Sequence, residues 1–118
     1  MLHRRVDSLT GTESEAHGPG WRSRRLITAD DGIGYSFHIT KIDEGARLEF
    51  EYSNHRETVY CVRGRGSVEE VSTGRIVELE PGSLYSVGTG EPHIFAASTE
   101  MHLVCVFDPP LHGNEEAD

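Results

Sequence analysis

Glu57-Thr58-Val59-Tyr60-Cys61-Val62-Arg63-Gly64-Arg65-Gly66-Ser67-Val68-Glu69-Glu70-Val71 contains two runs of β-branched, aromatic and apolar residues divided by a glycine-rich reversal. Such runs, too short for a helix and bounded by turn residues, predict paired strands over Glu57 to Arg63 and Ser67 to Val71. The same signature recurs on both sides of this stretch. Upstream lie Tyr35 to Ile42 and Ala46 to Tyr52; downstream lie Arg75 to Leu79, Leu84 to Val87, His93 to Ala97 and Met101 to Phe107. Between them stand Asp30-Asp31-Gly32, Asp43-Glu44-Gly45, Ser72-Thr73-Gly74 and Pro81-Gly82, which supply the backbone freedom and rigidity of tight turns. The spacing predicts an all-β chain folded as a small barrel or double-sheet jelly roll. Gly64-Arg65-Gly66 is read as a hairpin and not a phosphate loop, because no helix follows to present its N-terminus.

The 118 residues allow one domain with one core, spanning 1–118, with 109–118 a short tail expected to be mobile beyond Pro109-Pro110. The polar stretch before Trp21 predicts a short helix or an edge strand. Asp and Glu number 20 against 11 Lys and Arg, a net charge of −9, which disfavours phosphate backbones and anionic lipid surfaces, so neither nucleic acid nor membrane is an expected partner. No window approaches the roughly 18 apolar residues of a membrane span, and no apolar segment follows Arg4-Arg5 as a secretion signal requires. A cytoplasmic location is expected. Cys61 and Cys105 sit singly inside apolar runs, as buried thiols do.

Strand alternation groups side chains by face. Glu57 shares a face with Val59 and Cys61; His93 shares one with Phe95 and Ala97; Tyr85 shares one with Ser83 and Val87. A carboxylate on a core face requires a cation, a metal or a proton, since an unpaired buried charge costs several kcal/mol, of order 3–5. Three potential ligands therefore point inward from neighbouring strands. Each alone reads as an ordinary core residue; together they make a candidate metal site.

The intervals from Gly45 through positions 51, 53 and Glu57 to Gly64, followed by Gly88-Thr89-Gly90-Glu91-Pro92-His93, have the register of the two metal-binding motifs of cupins. Glu51 and Ser53 stand where cupins usually carry two histidines. With those departures the chain closely resembles ectoine synthases. The resemblance is carried by Trp21-Arg22-Ser23-Arg24-Arg25-Leu26, Asp31-Gly32-Ile33-Gly34-Tyr35-Ser36-Phe37-His38, Asn54-His55-Arg56-Glu57-Thr58-Val59-Tyr60-Cys61, Pro81-Gly82-Ser83-Leu84-Tyr85 and Leu103 through Leu111.

That resemblance implies a single-domain cupin with Fe(II) on Glu57, Tyr85 and His93, and cyclisation of N-γ-acetyl-L-2,4-diaminobutyrate with loss of water to the compatible solute ectoine. It also implies a substrate shell. Arg25 is suited to the substrate carboxylate, Trp21 to a wall, and His38, Thr40, Tyr52, Cys105, Phe107 and the tail residue Glu115 to the remaining contacts. Tyr52 and His55, beside Glu57, are the candidates for proton transfer. Alternation sets Tyr52 opposite positions 51 and 53, so all of them can face one cavity only across a bulge or bend. Past Pro109-Pro110-Leu111 the chain departs from the family's tail, with His112 and Ala117 replacing a threonine and a histidine, which implies a weaker lid. A homodimer is expected, with edge strands buried against the partner. Two further readings stay open: a binding module for a small zwitterion, and catalysis of the reverse hydrolysis.

Overall fold

The computed structural model describes residues 1–112. Ten strands form in chain order: β1 (Glu15–Gly18), β2 (Trp21–Ile27), β3 (Ser36–Ile42), β4 (Arg47–Phe50), β5 (Arg56–Arg63), β6 (Gly66–Glu70), β7 (Arg75–Leu79), β8 (Leu84–Val87), β9 (His93–Ala97) and β10 (Met101–Asp108). Short 3-10 turns at Val6–Leu9 and Ala29–Asp31 are the helical elements among the described residues. The strands make a six-stranded sheet ordered β1-β2-β3-β10-β5-β8 and a four-stranded sheet ordered β4-β9-β6-β7, every pairing antiparallel. This is the double-sheet form of the expected jelly roll. The two sheets face each other without closing into a continuous ladder.

The predicted strands appear within one or two residues of their expected ends, the stretch before Trp21 supplies both a short 3-10 turn and an edge strand, and β4 is shortened. β1 is an edge strand over Glu15–Gly18, paired only with β2. β2 carries Trp21, Ser23 and Arg25 on its inner face. β4 stops at Phe50 instead of reaching Tyr52. The reversal after Arg63 needs glycine: Gly64 has φ +94, and a side chain there would strike the Glu100 carbonyl.

The core lies between the sheets. Alternation along β10 buries Met101, Leu103, Cys105 and Phe107, while β5 contributes Val59 and Cys61 and β9 contributes Phe95 and Ala97. Both cysteines are free and buried. The expectation of a mobile tail is corrected at its first residues. Leu111 is 1% exposed; its N–H donates to Ser36 Oγ at 3.0 Å and its carbonyl accepts from the Ala29 N–H at 2.8 Å. Two backbone bonds and a buried isobutyl group outweigh the two prolines that suggested a departure from the barrel.

Candidate functional site

Cross-strand register places one row of inward residues across five strands of the larger sheet. Arg25 on β2 opposes His38 on β3, His38 opposes Cys105 on β10, Cys105 opposes Val59 on β5, and Val59 opposes Tyr85 on β8. A neighbouring row runs from Ser23 through Thr40 and Leu103 to Cys61. Because side chains alternate across a strand, both rows face the smaller sheet. Apart from Cys61, they enclose a cavity of about 60 Å³, lined also by Trp21, Phe50, Tyr52, Glu57, Phe107 and Leu111.

Glu57 and Tyr85 come from adjacent strands, β5 and β8, whereas His93 projects from β9 in the opposite sheet. The expectation of three neighbouring strands is thereby corrected: the cluster bridges the sandwich. Glu57 is 8% exposed and His93 1%. His93 Nε2 lies 3.3 Å from Glu57 Oε1, and the Tyr85 ring stands edge-on to the imidazole at 6.3 Å between centroids.

The tautomer of His93 follows from its other nitrogen. Nδ1–H donates to the Glu91 carbonyl at 3.0 Å, so in the neutral ring Nε2 carries a lone pair. That lone pair is buried, lacks an aligned hydrogen bond, and faces a carboxylate. Two electron-rich groups at this distance need a cation between them, either a proton or a metal ion. Burial pulls the imidazole pKa down, but the Glu57 carboxylate and the Glu91 carbonyl outweigh it, and the net shift is upward. Burial, then the Glu57 charge, pushes the Tyr85 phenol well above its ordinary range. Without a cation the phenol keeps its proton; a metal would reverse that balance.

The donor set fits a metal. Among the described residues no three His, Cys, Asp or Glu side chains converge as a metal site; here the third donor is a phenol. A carboxylate, a phenolate and an imidazole whose remote N–H is fixed by a backbone carbonyl form a mixed oxygen and nitrogen set suited to Fe(II).

The opposite end of the cavity holds Arg25, 5% exposed, with Trp21 and Ser23 beside it on β2. Thr40 Oγ1 donates to Ser23 Oγ at 3.1 Å. Burial, then the Glu57 charge, raises the Cys105 thiol far beyond its usual range, against a smaller opposing effect of a Thr40 hydrogen bond. Cys105 is therefore a protonated wall and not a nucleophile. Phe107 is the aromatic centre of the mouth, edge-on to His38 at 5.2 Å and to Tyr52 at 5.0 Å.

Tyr52 reaches the cavity without a bulge, since it shares the inner face with Phe50, its ring stacked on that of Phe50 at 6.4 Å. Neither Glu51 nor Ser53 lines the cavity. His55 stands one ring behind it: Nδ1–H donates to the Pro109 carbonyl at 2.7 Å, and the imidazole is edge-on to Tyr52 and Phe107 at 6.4 Å each. Its position is that of a group that orients the rim. Glu115 lies outside the described residues. Sequence reasoning overlooked Ser23, Phe50, Leu111 and the carbonyl of Glu91. Period two counted from Trp21 would have found Ser23, and from Tyr52 it would have found Phe50; Leu111 depends on tertiary contact, and the Glu91 carbonyl is a backbone group without a residue signature.

The family model described as ectoine synthase matches residues 1–118. An L-ectoine synthase from Nocardia farcinica is 42% identical over 118 residues, covering 100% of this chain and 90% of that protein. The crystal structure of ectoine synthase from P. lautus superposes with a TM-score of 0.91 at 36% identity, covering 96% of this chain and 81% of that one. An RmlC-like cupin from Shewanella frigidimarina superposes with a TM-score of 0.68 at 23% identity, covering 80% and 81%, which speaks to the fold alone. A cupin sandwich with an arginine at one end of its cavity and a carboxylate and phenol at the other, the carboxylate backed by an imidazole of the opposite sheet, matched along its whole length, belongs to the ectoine synthase family.

Proposed function

We propose that this chain is an L-ectoine synthase, a hydro-lyase that closes N-γ-acetyl-L-2,4-diaminobutyrate to ectoine, with Fe(II) held by Glu57, Tyr85 and His93. The observation that carries the reading is the lone-pair face of His93 Nε2 set against Glu57 at 3.3 Å, in a cavity whose far end holds a buried guanidinium. Such a cavity has opposite polarity at its two ends, which matches a small zwitterion.

Ring closure forms one bond between the α-nitrogen and the acetamide carbon and breaks the bond to the carbonyl oxygen. Two protons pass from the α-ammonium group to that oxygen, which leaves as water, and the remaining positive charge spreads over the amidinium. Bound Fe(II) supplies Lewis acidity to this end of the cavity. Arg25 takes the substrate carboxylate as a bidentate partner and fixes which end of the molecule faces Glu57. Trp21, Phe50 and Phe107 exclude water and hold the chain folded, so that attack occurs within one oriented molecule. The Tyr52 phenol, in the same cavity, carries protons between nitrogen and oxygen. His55 positions Tyr52 and Phe107 through the bond to Pro109.

The half-exposed outward residues Tyr60 and Val62 on β5 support a homodimer, to be checked by sedimentation. A cytoplasmic enzyme of osmotic stress fits the product, a compatible solute. Anaerobic protein supplied with Fe(II) and N-γ-acetyl-L-2,4-diaminobutyrate should yield ectoine by NMR. Binding of product without turnover would instead establish the zwitterion-binding module.

A further inference from the structure

The larger sheet ends at β8 and the smaller at β7, and these two edges do not pair. The gap between them holds a second cavity of about 250 Å³, lined by residues that include Val68, Glu70, Arg75, Val77, Tyr85 and His93. Tyr85 lines both cavities, Glu57 only the first and His93 only the second. The donor cluster is thus the partition between two spaces of different character.

The first space is a poor entrance for a hydrated cation. It holds a buried guanidinium, is walled by aromatic rings, and has Leu111 docked against it. The second is roomier and carries a carboxylate. Glu70 follows Gly66 and Val68 on the inner face of β6 and lies directly across from His93 in the β6–β9 register, where side chains of a pair start about 5 Å apart. The Thr73 hydroxyl donates to Glu70 Oε1 at 2.6 Å and holds the carboxylate in place. Arg75, its partner on β7, lines the same cavity at its exposed side, so Glu70, half-buried next to His93, is the charge nearer the donors.

We infer that the cavity between β7 and β8 is the port through which a divalent cation reaches and leaves Glu57, Tyr85 and His93, with Glu70 the first anionic group on its way in. The inference rests on the reading that those three residues hold the cation. A hydrated ion gives up its waters stepwise, and a wet passage ending at His93 allows that exchange without crossing the substrate cavity. Glu70 raises the local cation concentration at short range.

The test is anaerobic stopped-flow binding of Co(II), followed by its visible absorption, to metal-free full-length protein. A port changes arrival and departure by the same factor, so Val77→Phe should slow both about tenfold with Kd unchanged. Val77→Ala, which widens the passage and carries the test if the larger residue disrupts folding, should accelerate both. Glu70→Gln should slow association by about two- to fivefold at low salt, with the difference vanishing at high salt. All three variants, once loaded, should turn over as the wild type does. Unchanged rates in both Val77 variants, or slower release without slower binding, would overturn the port while leaving the metal site standing. Failure of the wild type to take up Co(II) would overturn both.

Discussion

At one end of the substrate cavity Arg25 is buried on β2, flanked by Trp21, Ser23 and the hydroxyl of Thr40; at the other, Glu57 is buried on β5, 3.3 Å from an imidazole of the opposite sheet. Both charges face inward through the same period-two alternation of one sheet. Their settings differ in kind. The Glu57 end is assembled from both sheets and includes a nitrogen lone pair that only a cation satisfies, whereas the lining contributed beside Arg25 comes from β2 and β3 and is suited to an anion brought by a ligand. On the proposed reading, one end holds a resident ion and the other takes the carboxylate of the substrate.

Substitutions at the two ends should therefore separate cleanly. His93→Ala removes a donor on which Glu57 also depends, and turnover of N-γ-acetyl-L-2,4-diaminobutyrate should fall by about 10³-fold or more, chiefly in kcat. Leu111→Ala removes a buried cavity wall docked between Ser36 and Ala29 and opens a void at a residue 1% exposed. It should cost ~2–4 kcal/mol, read as a lower urea midpoint at unchanged m-value. Arg25→Met should keep the metal and the fold but lose a charge-assisted contact worth ~2–3 kcal/mol, raising KM by roughly 30- to 150-fold. If Arg25→Met instead lowered kcat as far as His93→Ala does, the division of labour between the ends would be wrong.

The smallest effect concerns the anchor outside the Arg25 strand. Arg4 pairs with both oxygens of Asp31, at 2.8 and 2.9 Å, and also reaches the Leu26 carbonyl at 2.7 Å. The hydrogen bond from Arg4, then that from the Thr28 backbone, holds the Asp31 carboxyl below the usual carboxylate range. A lowered carboxyl stabilises the fold above its unfolded pKa of about 3.9, and that contribution fades as pH falls through the lower folded value. The stability difference between wild type and Asp31→Asn should accordingly be constant near neutrality and shrink in acid, which denaturation at several pH values would measure. A pH-independent difference would assign the effect to lost packing.

Much of this arrangement was legible in the residues because alternation is a local property. Glu57, Tyr85 and His93 each stand on a core face by counting in twos, and the strand ends fell at glycines, prolines and aspartates that turn the chain. Sheet membership was not legible, since nothing within His93 to Ala97 states that β9 lies across the sandwich from β5. The edge strand before Trp21 was expected only as an alternative to a short helix, because Glu15-Ala16-His17-Gly18 has no buried face to decide between them. Leu111 was read as tail because its burial depends on Ser36 and Ala29, far away in sequence. The Glu91 carbonyl, which sets the tautomer of His93, belongs to the backbone and carries no residue signature at all.

The account turns on a cation shared by Glu57, Tyr85 and His93, and anaerobic Fe(II) titration of the metal-free protein, with bound iron counted after desalting, measures it directly. The wild type should retain one ion per chain, and His93→Ala and Glu57→Ala, folded by circular dichroism, should retain none. Wild-type protein that binds no iron, or variants that bind it as tightly as the wild type, would contradict it.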